Sequence, residues 1–182
     1  MTKVMLYADG ACSGNPGPAG WAAILVSGKH VKEVVGGAAE STNNRAELMA
    51  VIVGLEALKF ACEVEVVTDS QYVIGTLSLG WKRKANHDLL AKADALMAKH
   101  TVSFTKVNGH SGNAMNERCN RLAKAEVERQ RSKAGFTGTQ CINCGTLSGA
   151  SLFCDECKAK YSDSDLTRIY KDHVQWCMGL SA

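Results

Sequence analysis

VMLYADGACSGNPGPAGWAAILVS, residues 4–27, is the stretch that decides the fold. The apolar run Val4-Met5-Leu6-Tyr7 is closed by Asp9, and a second β-forming run covers residues 20–27. Between them lies a glycine- and proline-rich turn containing Asn15-Pro16-Gly17-Pro18, the residue types that reverse a chain between strands. The reading places strands over 3–8, 20–27 and 31–38, close enough in sequence to form an antiparallel meander. The period then changes. From Thr42 to Cys62 the apolar residues Leu48, Val51, Ile52, Leu55 and Leu58 recur at three and four, which predicts a helix with Thr42 or Asn43 as its N-cap. A strand over 63–68, a short helix over 70–77, a basic loop over 80–86, a helix over 87–99 and a strand over 101–107 follow. The glycine-flanked loop 108–112 leads into a last helix over 113–131. Strands that pair with near neighbours and then alternate with helices define an α/β class with a mixed five-stranded sheet flanked by helices.

Three acids occupy distinctive places in this plan. Asp9 is expected at the end of the first strand, Glu47 near the start of the first long helix, and Asp69 directly after Val64-Glu65-Val66-Val67-Thr68. Any one of them alone reads as a helix cap or a solvated strand end. Gathered together they repel, and a bound divalent cation is the usual reason to accept that cost. Oxygen ligands of this kind suit hard cations.

The chain has 182 residues, enough for a real core, and a formal charge of +3, too mild to argue for nucleic acid by itself. No uninterrupted apolar stretch reaches the ~18 residues of a membrane span, so no membrane partner is expected. Met1-Thr2-Lys3 runs straight into an apolar strand without a secretory signal pattern. With eight cysteines in the chain, the expectation is a cytoplasmic, intracellular protein with reduced thiols rather than a secreted disulfide framework.

Five segments in register carry a resemblance. They are Tyr7 to Pro18, Thr42 to Leu48, Thr68-Asp69-Ser70-Gln71-Tyr72-Val73, Gly109-His110-Ser111-Gly112 and Asn116-Glu117-Arg118-Cys119. Over about residues 1–130 the chain resembles the type-one ribonuclease H family. The resemblance implies a ribonuclease H-like fold and an endoribonuclease that hydrolyses the RNA strand of RNA–DNA hybrids, leaving 3′-hydroxyl and 5′-phosphate ends. It implies two magnesium ions, replaceable by manganese, roughly 3.5–4 Å apart, one activating water and the other stabilising the leaving oxygen. Asp9 would bridge both ions, with Glu47 and Asp69 completing the leaving-group site. The family carries aspartate where this chain has Asn120. An amide oxygen can coordinate a hard cation but lacks the charge, so slower hydrolysis is expected, and a catalytically impaired hybrid-binding module is the alternative.

His110 matches the family's proton-shuttling histidine, a role suited to a group titrating near neutrality; a solvated loop histidine is the plain alternative. The resemblance places Asn15, Asn43, Asn44 and Gln71 at the hybrid, where amides both donate to and accept from a 2′-hydroxyl. It places Thr42 and Asn86 at a DNA-strand phosphate. Trp81, with Lys82, Arg83 and Lys84, is a stacking and charge contact for the DNA strand, or simply a solvated basic turn.

Beyond residue 134 the pattern changes again. Cys141-Ile142-Asn143-Cys144 and Cys154-Asp155-Glu156-Cys157 form two CxxC knuckles. Their spacing suits tetrahedral thiolate coordination of one structural zinc ion, which would fold a segment too short for a core of its own; two disulfides or an iron–sulfur cluster would use the same thiols. The segment resembles a zinc ribbon. The expected organisation is a catalytic domain over 1–134, a linker over 135–140, and a ribbon with a terminal helix over 141–182, offering a surface for a further nucleic-acid or protein partner.

Overall fold

The computed structural model describes residues 1–108, 113–133, 160 and 162. The chain divides into two units, Met1–Ala134 and Gly135–Ala182. In the first unit the elements run β1 (Thr2–Cys12), β2 (Gly17–Ser27), β3 (His30–Ser41), α1 (Asn43–Glu56), β4 (Cys62–Thr68), α2 (Gln71–Leu77), α3 (His87–Met97), β5 (Thr101–Lys106) and α4 (Ala114–Lys133). The strands form one five-stranded sheet in the order β3-β2-β1-β4-β5. The β1–β2 and β2–β3 pairs are antiparallel, and the β1–β4 and β4–β5 pairs are parallel. The mixed α/β sheet read from the sequence is therefore the observed one.

Alternation along β1 sends Val4, Leu6 and Ala8 to one face of the sheet. There they meet Leu48, Ile52 and Leu55 of α1, Val64 and Val66 of β4, and Leu90 of α3. Each fully buried aliphatic side chain of this group stabilises the fold by roughly 2 kcal/mol. The opposite face of β2 packs Ala22 and Ile24 against Cys119 and Ala123 of α4. That helix lies tightly on the strand: a Cβ on Gly20 would sit 2.2 Å from the Ala123 carbonyl oxygen, so only glycine fits beneath it.

The first three strands run longer than expected and the first helix shorter. β1 continues through Cys12 because β2 starts as early as Gly17 and keeps pairing, with Asp9 opposite Ala22 and Cys12 opposite Ala19. Asp9 thus lies inside a strand, not at its end. α1 stops at Glu56, short of Cys62. Thr42 caps α1, its hydroxyl accepting from the Arg45 N–H at 3.4 Å, and Ser70 caps α2, accepting from the Val73 N–H at 3.1 Å. His110, Cys141, Cys144, Cys154, Cys157 and the expected terminal helix lie outside the described residues. Among the described residues no helix is long and apolar enough to cross a membrane.

Candidate active site

The site is built where β1, α1, the end of β4 and α4 meet. Its geometry begins with Gly10, which faces α1. A Cβ there would fall 2.3 Å from the Ala46 carbonyl carbon and 2.4 Å from the Glu47 amide nitrogen. The missing side chain lets α1 rest directly on β1 and sets Glu47 beside the strand that carries Asp9. Asp69 arrives from β4, which runs parallel to β1. Asn120 comes from α4, and its side chain hydrogen-bonds Asp9.

Asp9 is 6% exposed, and its Oδ2 has no hydrogen-bond partner. Burial raises its pKa from 3.8 to about 6; the Asn120 hydrogen bond opposes this and the charge of Asp69 adds to it. Glu47 is also pushed up, first by burial and then by the charges of Asp9 and Asp69, against the hydrogen bonds from Ser70 and Asn43. The charges of the three acids therefore act on one another. They do not form a ready coordination shell. Among the described residues no three His, Cys, Asp or Glu side chains are grouped to hold a metal ion. Glu47 shows why: its Oε2 accepts from the Ser70 hydroxyl at 2.6 Å and its Oε1 from the Asn43 amide at 3.0 Å.

The donor set nonetheless fits a hard divalent cation. It is all oxygen, carries net negative charge, and includes a buried carboxylate oxygen that nothing in the fold satisfies. Asp69 and Asn120 line a cavity of about 350 Å³ with Asn116, Glu117, Arg121 and Lys124, so both signs of charge meet there. Lys124 also acts on Asp9 as a favourable charge. Lys124 and Arg121 have no part in the sequence reading, and Asn116 enters it only as a member of a motif, with no role of its own. The signal was available, since Asn116, Asn120 and Lys124 repeat every four residues and share one face of α4.

The remaining predicted residues divide. Asn15 accepts from the Asn43 backbone N–H at 3.2 Å, tying the 13–16 turn to the start of α1. Asn44 and Gln71 are exposed near Glu47 and Asp69 in sequence. Asn86 has positive φ at 59° and no capping bond; its amide donates to the Tyr72 hydroxyl at 2.9 Å and its carbonyl accepts from Arg45 at 3.4 Å. Arg45 in turn forks onto Asp88 at 2.6 and 2.9 Å. Trp81 is 50% exposed, its ring laid over Gly75. Arg83 is not a free cation of the basic turn, because it is ion-paired with Asp94 and bonded to the Thr76 carbonyl.

Comparison with known proteins points one way. The RNase H family model matches residues 1–128. A protein of Phenylobacterium zucineum named Ribonuclease H is 49% identical over 149 residues, covering 73% of this chain and 97% of the relative. Among solved structures, the N-terminal RNase H domain of a Mycobacterium tuberculosis protein, fused to maltose-binding protein, superposes with a TM-score of 0.66 at 31% identity, covering 74% of this chain and 99% of that one. The RNase H1 called LC11, solved in complex with an RNA/DNA hybrid, gives 0.61 at 25% identity, covering 69% and 97%.

Proposed function

The chain belongs to the ribonuclease H family and is a hydrolase, and from that premise we propose that it hydrolyses the RNA strand of RNA–DNA hybrids with divalent cations at the Asp9 pocket. The observation that carries this is the buried, unpartnered Asp9 oxygen electrostatically coupled to Glu47 and Asp69. Asp9, Glu47, Asp69 and Asn120 are the residues that hold magnesium, or manganese in its place. When bound, the cations supply an activated water and charge stabilisation for the leaving 3′ oxygen, so that 3′-hydroxyl and 5′-phosphate ends result.

The chain's own side chains bind and orient. Asn15, Asn43, Asn44 and Gln71 read the hybrid by shape and 2′-hydroxyl, while Thr42, Asn86 and the Trp81 ring face the DNA strand. His110 moves the proton. Lys82 and Lys84, exposed beside Trp81, supply the charge expected of that loop without Arg83. The free thiols of Cys12, Cys62 and Cys119 support action in the reducing cytoplasm.

Asn120 sets the rate. Asn120→Asp is expected to raise magnesium-dependent cleavage of a labelled hybrid at least about tenfold, about 1.4 kcal/mol of barrier, by restoring a charged ligand. Cleavage by both forms supports a working native enzyme. Cleavage only after the reversion supports the impaired hybrid-binding module, whose motivation is the neutral Asn120 amide on Asp9. Binding without cleavage by either form would reject the nuclease reading.

The organisation we propose is a catalytic domain over 1–134, a linker over 135–140 and a zinc ribbon with terminal helix over 141–182, with Cys141, Cys144, Cys154 and Cys157 as zinc ligands and a further nucleic-acid or protein partner bound by the tail. Support comes from the CxxC spacing alone. Elemental analysis is expected to find about one zinc per chain, lost in Cys141→Ser; a protein without zinc would remove the ribbon from the account.

A further inference from the structure

Among the described residues, the buried side-chain oxygens without a hydrogen-bond partner are Asp9 Oδ2 and Asn116 Oδ1. Asn116 is 4% exposed, yet it lines the cavity shared by Asp69, Asn120 and Lys124. Its backbone is well served, its N–H donating to Asn113 Oδ1 at 3.1 Å, so the orphaned atom is the side-chain acceptor alone. An acceptor buried without a donor costs free energy at every moment the protein is folded. Asn116 lies one turn before Asn120 on α4, and Asn120 reaches Asp9. Both lone oxygens lack the same thing, a donor to accept from or a cation.

We propose that Asn116 is an additional oxygen ligand, acting through its side-chain carbonyl, for the cation held at Asp9 and Asn120. It takes up coordination that a charged residue at 120 would otherwise supply, so that two neutral amides on successive turns of α4 do the work of one carboxylate. The inference rests on the divalent-cation reading above and adds a residue to it. An amide oxygen is a competent ligand for hard cations of flexible geometry.

The test is manganese binding to the full chain in the absence of nucleic acid, followed by the electron paramagnetic resonance signal of free Mn2+. Asn116→Ala is expected to weaken binding about fivefold while the melting temperature in EDTA holds or rises; Asn116→Asp, of the same shape, is expected to tighten it about tenfold. Where Asn116→Ala fails to fold, Asn116→Asp decides alone. Variants within about twofold of wild type would overturn the proposal, reducing Asn116 to a packing flaw. Unchanged manganese affinity with weaker hybrid binding would also overturn it, making Asn116 a substrate contact. A wild-type chain that binds no manganese while remaining folded would instead strike the cation reading itself.

Discussion

Asp9→Asn is expected to lower cation-dependent hybrid cleavage at least about a thousandfold, about 4 kcal/mol of transition-state stabilisation, and to make the cation-free protein more stable. The two effects share one cause. Asp9 carries its charge in a place where the Asn120 hydrogen bond and Lys124 only partly offset burial, with Oδ2 buried and unpartnered and Asp69 adding repulsion. A carboxyl whose titration moves from 3.8 to about 6 holds roughly 3 kcal/mol of ionisation cost at neutral pH. Asparagine keeps the shape and removes that cost, so melting in EDTA at pH 7 is expected to rise by about 4 °C or more. The direction with pH follows from linkage. Because the folded-state value lies above the unfolded one, wild-type stability without cations is highest near pH 4 or below for this group and falls as pH rises through about 6. The gain in Asp9→Asn therefore shrinks in acid. Cleavage within tenfold of wild type, or an Asn variant that melts lower at pH 7, would contradict this account of Asp9.

Gly10→Ala is expected to destabilise the fold by about 3 kcal/mol or more and to reduce cleavage by about a hundredfold. The added methyl would meet backbone, the Ala46 carbonyl carbon at 2.3 Å and the Glu47 amide at 2.4 Å, not a side chain that can swing aside. α1 must lift from β1, and Glu47 moves with it. In urea the midpoint is expected to fall by more than about 1 M. A variant with an unchanged midpoint would show that the close approach of α1 is not what places Glu47.

These two residues mark how far the sequence could be read. The change from the apolar, β-forming runs of β1 and β2 to three-and-four spacing in α1 is enough to define the mixed sheet, because burial of one helix face imposes that spacing. The acids stand out by their neighbours in sequence, and in the fold Asp9 and Glu47 each titrate higher partly because of the other acids' charge. What local pattern could not show is tertiary. Asp9 was expected at a strand end, but β1 runs to Cys12 because the partner strand keeps pairing. Arg83 read as part of a basic surface, but Asp94 on α3 and the Thr76 carbonyl of α2 hold it. Asn86 read as a phosphate contact; the structure shows its amide also bridging α1 and α2 through Arg45 and Tyr72. Asn116 stood in a recognised motif, yet only burial and a missing partner single out its oxygen.

The central claim is that Asp9, Glu47, Asp69 and Asn120 act as one cation-holding pocket that cuts RNA paired to DNA. Its most direct test is a hybrid with both strands labelled, incubated with the unaltered chain in magnesium, manganese or EDTA. The account predicts a cut RNA strand, an intact DNA strand and no cleavage in EDTA. A hybrid that is bound but left whole in both metals, or one cut equally well in EDTA, would contradict it.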